Sequence, residues 1–284
     1  MFKGPFVVPQ FQFLRDYVLG TGAAADKLVG AVPGMGSNGS GLQGIYSRSA
    51  DTSEYDQLVR DNGVSMAASL DVVQALPPYT PANGATYPIL TGDPGDDPDF
   101  NNGTSRTFFE QVRDGVRLLK QTDCRLIGID LGGWDTHSNQ GTTGSTGQPR
   151  LLHTLAHGLR SIALDCSDPA NDIWSDTLVV VASEFGRTSK ENASFGTDHA
   201  EAGVMFVAGG NVNGGVYNGS AANWSGILSV NGRYLGMRTD FRAVYAEILQ
   251  RHFGISPMEI DLIIPGWDNL NPALPQNQFL NILP

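Results

Sequence analysis

The central part of the sequence alternates between helical and strand-like hydrophobic patterns, and this alternation most constrains the fold. Helical spacing covers residues 106–121 and 150–164, and short β-rich apolar runs cover 125–131 (RLIGIDL), 177–182 (TLVVVA) and 203–208 (GVMFVA). A strand, a helix and a strand in succession normally form a right-handed parallel crossover. The pattern therefore predicts an α/β fold with a mostly parallel central sheet and helices on both faces.

Each amphipathic helix also predicts which of its side chains face the core. In the helix at 150–164 the apolar face comprises Leu152, Leu155, Leu159 and Ile162. His153 and His157 fall on the opposite side of the helical wheel, so we expect both to face solvent.

The C-terminal part of the sequence predicts a hairpin and a final helix. Asn231-Gly232 is a hairpin turn signal, because both central positions of such a turn favour positive φ. The last helix is expected over 240–253, with Thr239 or Asp240 as its N-cap and Gly254 as its stop. Its predicted inward side chains are Phe241, Val244, Tyr245, Ile248 and Leu249.

The first 105 residues are weakly patterned and rich in Gly, Ser and Pro clusters, with one helical stretch at 53–76. We expect a single domain over 1–284, loop-rich over 1–105 and with its core over 106–267. The acidic loop at Asp93, Asp96, Asp97 and Asp99 offers oxygens that suit calcium, but it lacks the spacing of a known calcium loop. A solvated loop is the favoured interpretation there.

Composition and charge exclude several classes of partner. The chain of 284 residues has 18 Lys and Arg against 29 Asp and Glu, a net charge of −11. Such a surface repels the phosphate backbone of nucleic acids. No apolar run approaches the roughly 18 residues of a membrane span, and no signal-peptide core is visible near the N-terminus.

The two cysteines, Cys124 and Cys166, cannot make a disulfide framework, and neither begins a C-x-x-C motif. Two buried thiols are the favoured interpretation. A pairing at one edge of the sheet is the alternative, since both lie near the predicted ends of neighbouring elements.

Two polar loops follow the predicted strands and carry the candidate site. Ligands collect at the carboxyl ends of the strands in an open parallel sheet. The first loop is GGWDTHSNQ at 132–140, and the second runs from SEFGRT at 183–188 to GTDH at 196–199. Carboxylates and imidazoles that converge from separate strand ends suit a divalent cation, with zinc preferred and manganese or calcium as alternatives. The candidate ligands are Asp135, His137, Glu184, Asp198 and His199.

Three further side chains are candidate substrate contacts: Arg187, Asn192 and Trp134. A guanidinium beside a metal suits a phosphate, sulfate or carboxylate group. An orienting ion pair of Arg187 with Glu184 or Asp198 is equally consistent with the sequence. Trp134 could form a wall of the crevice, although a core position is favoured.

The sequence carries an ordered series of motifs over about residues 126–267, which are GGWDTHSNQ, SEFGRTSKEN, GTDHAEAG, the glycine-rich run at 209–215, TDFRAVYAEIL and IIPGW. This series resembles the bacterial domain-of-unknown-function family 1501, which belongs to the alkaline-phosphatase and sulfatase-like superfamily. The resemblance implies an alkaline-phosphatase-like sandwich, a metal-centred crevice and a periplasmic or secreted protein.

The resemblance also implies roles and shows departures. His137 and His199 match metal-binding histidines, and Asp198 could ligate or could orient His199 from outside the metal's ligand sphere. Glu184 matches an expected Asp ligand, but Phe185 replaces its partner histidine and cannot ligate. The glycine-rich N-terminal strand that supplies the superfamily's nucleophile has no counterpart here, so the chain resembles a truncated member. Neither Cys124 nor Cys166 begins C-x-P-x-R, the motif of formylglycine sulfatases, which excludes that mechanism.

The expected function is metal-dependent hydrolysis of a small phosphate or sulfate ester. The alternative is a secreted binding or structural protein that retains the crevice without the chemistry. The sequence assigns neither a nucleophile nor an oligomeric state.

Overall fold

The computed structural model describes residues 72–73, 75–142, 146–217, 232–268 and 279–284. Its four helices are α1 (Gly103–Gln121), α2 (Gly147–Cys166), α3 (Phe241–Arg251) and α4 (Pro257–Ile263), and its four strands are β1 (Leu178–Val181), β2 (Gly186–Arg187), β3 (His199–Ala200) and β4 (Phe206–Gly209). Short 3-10 turns cover Pro98–Phe100 and Trp174–Asp176. The chain is therefore of mixed α/β class. Most of the predicted helix at 53–76 lies outside the described residues.

The described residues fall into two compact units. One holds those up to Pro81 together with Phe109–Ile129, and the other holds Ala82–Phe108 and Asp130–Pro284. All of the candidate site residues belong to the second unit. The single domain over 1–284 stays a prediction.

The predicted parallel sheet is wrong for the described residues, because their strands pair antiparallel. β1 pairs with β4, so that Leu178 faces Gly209 and Val181 faces Phe206. β2 pairs with β3, so that Arg187 faces His199. Both ladders belong to one long hairpin whose tip is 188–198. A hairpin reverses the chain direction, whereas a parallel pair needs a crossover connection.

The two ladders of the hairpin are joined by unequal arms. Four residues, 182–185, separate β1 from β2, and five, 201–205, separate β3 from β4. The return arm therefore carries one extra residue, as at a β-bulge, which bends a strand and re-aims its side chains. Gly186 permits this bend, because a Cβ at that position would lie 1.7 Å from the carbonyl oxygen of Ala202.

The predicted strand at 125–131 is also wrong, since these residues form no strand in the described structure. Ile127 and Ile129 instead approach Gly115 of α1, where a Cβ would lie 3.0 Å from the Ile127 side chain. Leu126 is 74% exposed. The alternating isoleucines of this segment pack against the helix. A β-strand also needs a neighbouring strand to pair with, and the hydrophobic pattern of the segment does not specify one.

Helix α2 is confirmed, but its buried face differs from the predicted one. The buried residues are Leu151, Thr154, Gly158, Ser161, Ile162, Asp165 and Cys166. Leu152 is exposed. Polar contacts select this face: the Ser105 and Thr154 hydroxyls are 2.8 Å apart, and the Tyr87 hydroxyl donates to Asp165 at 2.9 Å. Gly158 lies against the Phe108 ring.

The two histidines of α2 have different surroundings. His153 is exposed, as predicted, but His157 is half-buried, with its Nε2 3.1 Å from both the hydroxyl and the carbonyl oxygen of Thr86. Burial lowers the pKa of His157. The prediction that both face solvent is therefore wrong for His157, because the turn at Thr86 covers that side of the helix.

Helix α3 confirms the predicted C-terminal helix and its cap. The Asp240 carboxylate accepts from Arg242 N at 2.9 Å, and Gly254 has φ +68° after the helix. Val244 and Ile248 are buried as predicted, against Ile282 and Leu283, whereas Phe241 is exposed. Of the predicted hairpin turn at Asn231-Gly232 only Gly232 is described, with φ +61°.

The fully buried carboxylate of Glu247 organises the C-terminal segment. It accepts hydrogen bonds from the backbone N–H groups of Leu280, Asn281 and Leu283, at 2.7, 3.1 and 3.1 Å. One side chain on α3 thus satisfies three amide donors of a segment with no ladder of its own.

Both cysteines are present as thiols and are not joined by a disulfide. Cys166 is buried, as the favoured interpretation predicted, while Cys124 is only half-buried. No helix of the described residues is both long and apolar enough to cross a bilayer.

Substitution of Glu247 tests its role in holding the C-terminal segment. Glu247→Ala should lower the free energy of unfolding by about 3 kcal/mol, because buried amide donors lose their acceptor. Glu247→Gln retains one accepting oxygen and should lose less. Chemical denaturation of the three proteins measures the difference, and an equal loss in both variants would contradict the assignment.

Candidate metal centre

The tip of the long hairpin is held against the loop at 134–140 by backbone hydrogen bonds. Asn139 N donates to the Ser194 carbonyl at 3.0 Å, and Gln140 N donates to the Phe195 carbonyl at 2.7 Å. Thr197 N donates in return to the Thr136 carbonyl at 3.0 Å. This pairing brings two sequence segments about sixty residues apart into register.

A glycine makes this close approach possible. A Cβ at Gly196 would lie 2.3 Å from the carbonyl carbon of His137, a distance that no side chain tolerates. On either side of the contact the backbone takes positive φ at non-glycine positions, +48° at Asn139 and +59° at Phe195. For a bulky residue such as Phe195 this conformation is uncommon and needs tertiary support.

Asn192 supplies much of that support. Its side-chain oxygen accepts from Ser194 N and Gly196 N, and its amide nitrogen donates to the His137 carbonyl at 3.0 Å and to the Asp198 carboxylate at 3.0 Å. Asn192 therefore acts as a positioning residue of the tip. The sequence analysis named it as a substrate contact, and that role stays a prediction.

Three of the predicted ligands meet at the docked tip. His137 Nε2 and His199 Nε2 are 3.2 Å apart, and Asp135 Oδ1 lies 3.1 Å from the first and 3.0 Å from the second. The side chains are 65% exposed for Asp135, 49% for His137 and 52% for His199. These three atoms form a nearly equilateral triangle open to solvent.

Asp198 determines the tautomer of His137. Hydrogen bonds from the Asn192 amide and the His137 ring lower the pKa of Asp198, so its carboxylate is ionised near neutral pH and can only accept. Its Oδ1 is 3.2 Å from His137 Nδ1, which must therefore donate. The proton of a neutral His137 thus lies on Nδ1, and the Nε2 lone pair points toward Asp135 and His199.

The residues present fit a divalent cation. A lone pair on His137 Nε2 that faces the carboxylate oxygen of Asp135 needs a proton or a cation between them. The tetrahedral ligands of zinc at about 2.0–2.1 Å are about 3.3 Å apart, close to the observed triangle. Two imidazoles, a carboxylate and an outer carboxylate on one ring form a donor set that zinc and other first-row metals accept.

Arg187 is part of the site as an ion-pair partner. Its Nη1 donates to Asp135 Oδ1 at 2.6 Å, its Nε donates to the Thr197 hydroxyl at 3.1 Å, and Nη2 donates to the Thr197 carbonyl. Hydrogen bonds from His199 and then Arg187 lower the pKa of Asp135. The orienting ion pair is thus observed, but its partner is Asp135 and not Glu184 or Asp198. Anion binding by Arg187 stays a prediction.

Arg233, which sequence reasoning missed, pairs with the second oxygen of Asp198. Its Nη2 donates to Asp198 Oδ2 at 2.5 Å, and its carbonyl accepts from Ser189 N at 2.8 Å. The only signal in the sequence was its place beside the predicted turn at Asn231-Gly232, which does not indicate what the side chain contacts. Arg233 is half-exposed and adds a second guanidinium at the rim of the site.

The other predicted residues lie around the triad. Glu184 is exposed at the start of the hairpin and is not in the group whose ligand atoms converge, so its ligand role stays a prediction. The Phe185 ring lies 4.2 Å from the His199 ring and closes that side with an apolar face.

Trp134 is half-buried, and its carbonyl accepts from Thr136 N at 2.9 Å. Asp198 contacts His137 and not His199, which corrects one of the two roles expected for it.

The described geometry falls within the segment that a family model recognises. The model Protein of unknown function (DUF1501) matches residues 91–263, which is more than half of the chain. The chain belongs to the DUF1501 family. The match covers both halves of the docked site, from Asp135 to Arg233. No curated protein and no solved structure matches the chain significantly.

The lowered pKa values of Asp135 and Asp198 predict an acid-sensitive site. A carboxylate whose pKa is lower in the folded chain stabilises it fully above the unfolded value of about 3.9, and loses that contribution as the pH falls through the folded value. Between pH 5 and pH 2 the melting temperature of wild type should therefore fall more steeply than that of Asp135→Asn/Asp198→Asn.

Asp172→Asn is the matched control, because Asp172 is an exposed aspartate whose described contact is to Trp174 N. Its melting temperature should follow wild type across the same pH range. Parallel pH profiles of wild type and the double variant would contradict the role of these two carboxylates.

Proposed function

We propose that this DUF1501 protein is a metal-dependent hydrolase that acts on small phosphate or sulfate esters. The observation that carries the proposal is the triad of Asp135, His137 and His199, whose ligand atoms converge within 3.2 Å and whose His137 ring is held by Asp198. Zinc is the preferred ion and manganese or calcium are alternatives. When bound, such an ion polarises an ester oxygen and stabilises the negative charge that develops on it.

The protein's own residues supply orientation and positive charge. Asp198 keeps the Nε2 lone pair of His137 directed into the triad, and Arg187 keeps Asp135 beside both rings. Arg233 lies half-exposed on the outer side of Asp198, where a guanidinium can meet an anionic group. The exposed triad leaves room for a substrate of small size to reach these groups from solvent.

Placement in the alkaline-phosphatase-like superfamily is part of this proposal, as is a periplasmic or secreted location. Support comes from the resemblance of the motifs and from DUF1501 membership. The parallel sheet of that superfamily is not seen among the described residues, so the functional proposal depends on the site and not on the fold.

A non-catalytic binding role is the second candidate, and one contact favours it. The Phe185 ring packs against His199 at 4.2 Å, where the superfamily resemblance calls for a second ligating histidine. An apolar ring cannot hold a second ion. A protein with a single exposed metal could bind an anionic partner through that metal without turning it over.

Metal content separates these candidates from a protein without a metal centre. Wild type purified in metal-supplemented medium should contain metal that elemental mass spectrometry detects, and His137→Ala/His199→Ala should contain about one equivalent less. His252→Ala, which changes a histidine outside both His/Asp groups, should match wild type.

Hydrolysis of 4-nitrophenyl phosphate and 4-nitrophenyl sulfate by the metal-loaded protein then separates the two candidates. Turnover that the double variant lacks supports the hydrolase. Metal bound without turnover supports the binding protein, and equal metal content in wild type and the double variant would overturn both.

Asp198→Asn tests the orientation of His137. An asparagine side chain can donate as well as accept, so it no longer fixes the proton of His137 on Nδ1. Metal affinity should therefore fall by about 10- to 100-fold, as expected when a partner that orients a metal ligand is lost. Competition with a chromogenic chelator measures the affinity, and Asp172→Asn should leave it unchanged. Unchanged affinity in Asp198→Asn would show that the carboxylate does not orient the ring.

A further inference from the structure

A second group of metal-ligating side chains lies in the same compact unit as the triad. Asp97, Asp99 and His153 each offer one ligand atom within 4.8 Å of the others. None of the three belongs to the triad at Asp135. His153 comes from α2, and the two aspartates come from the 3-10 turn at Pro98–Phe100 and its cap, about fifty residues earlier.

Local structure holds the two aspartates in place. Asp97 is the N-cap of the turn, and its Oδ1 accepts from Asp99 N at 2.9 Å. The Asp99 Oδ2 lies 2.9 Å from His153 Nδ1. Both aspartates are half-buried, and the described side-chain hydrogen bonds engage one oxygen of each. Asp97 Oδ2 takes part in none of the described hydrogen bonds, and a cation would replace the proton between Asp99 Oδ2 and His153 Nδ1.

A buried aromatic ring fixes the turn against the helix. Phe100 is 1% exposed, and its ring lies 4.8 Å from the His153 ring and 5.0 Å from the His157 ring. The residue next to Asp99 thus anchors the turn directly over α2. This packing makes the approach of the imidazole to the aspartates a property of the folded unit.

The neighbouring acidic residues of the loop are engaged elsewhere. Asp93 accepts from Ile89 N and Leu90 N at 2.9 and 2.7 Å, and Asp96 forms an ion pair with Arg106 at 2.7 Å. Of the four aspartates of the loop, only Asp97 and Asp99 have a carboxylate oxygen grouped with His153.

Asp97 also lines a surface pocket of about 260 Å³, which Asp99 and His153 do not line, so water reaches the group from the side of Asp97. A metal ion held by three protein ligands completes its coordination with water.

We propose that Asp97, Asp99 and His153 form a second divalent-cation site that takes Zn²⁺ or Mn²⁺ in preference to Ca²⁺. Imidazole and carboxylate together suit first-row metals, whereas calcium takes oxygen ligands only. The bound ion links the 3-10 turn to α2 and so stabilises the folded unit. The site is independent of the proposed hydrolase and of the triad at Asp135.

Titration of the full-length chain tests the proposal in a background that lacks the first centre. His137→Ala/His199→Ala is stripped with a chelator, and Zn²⁺, Mn²⁺ and Ca²⁺ are added in separate calorimetric titrations. One equivalent of Zn²⁺ or Mn²⁺ should bind and should raise the melting temperature. Adding Asp99→Asn/His153→Gln should weaken this binding by about tenfold or more.

Two further variants keep the test specific. Asp97→Asn preserves the N-cap, because an asparagine side chain caps as well as an aspartate, but it removes a charged ligand and should also weaken binding. Asp93→Asn removes one negative charge from the same loop and should leave the affinity within about threefold. Circular dichroism confirms that each variant is folded.

Three results would overturn the proposal. The first is no saturable binding in the background variant. The second is an equal loss of affinity in Asp93→Asn and Asp99→Asn, which would indicate attraction by net charge alone. The third is Ca²⁺ binding that is as tight as Zn²⁺ binding and indifferent to His153→Gln. None of these results bears on the triad at Asp135, which the background variant lacks.

Discussion

The docking of the hairpin tip on the loop at 134–140 is the contact on which the candidate site depends. Asp135 and His137 come from one segment and His199 from the other, so the triad exists only while the two are in register. Three backbone hydrogen bonds set that register, and Gly196 permits it because a larger residue would overlap the His137 backbone. Precise placement of ligands by backbone contacts is what a metal centre needs.

Hydrogen bonds and ion pairs then hold the two carboxylates of the site, Asp135 and Asp198, in place. Asp198 accepts hydrogen bonds from His137, Asn192 and Arg233. Asp135 accepts from Arg187 and His199, and its Oδ1 lies 3.1 Å from the lone pair side of His137 at Nε2. Each carboxylate thus has a guanidinium partner, and each has a lowered pKa. Because both carboxylates stay ionised near neutral pH, they continue to accept these hydrogen bonds and the rings remain oriented.

The predicted sheet failed for a reason that applies to many sequences. The apolar runs at 177–182 and 203–208 predict strands, and the structure has strands at Leu178–Val181 and Phe206–Gly209. Their direction was inferred from a strand, helix and strand order that requires 125–131 to be a strand, and this segment packs on Gly115 of α1 without a ladder. A hydrophobic pattern indicates which residues are buried, whereas the pairing of a β-strand depends on which other strand lies beside it. The buried face of α2 was misjudged similarly, since Ser105 and Tyr87 select polar positions on it.

The sequence by itself determined the helices α1, α2 and α3, an N-cap of α3 at Thr239 or Asp240, and the resemblance to DUF1501, because each depends on residue types at short spacings. It also indicated the candidate ligands Asp135, His137 and His199. The tertiary structure decided which side chains meet. It paired Arg187 with Asp135, assigned Asp198 to His137, added Arg233 and separated Asp99 and His153 into a group of their own. Contacts between residues thirty-five or more positions apart follow from the path of the chain, and no local pattern encodes that path.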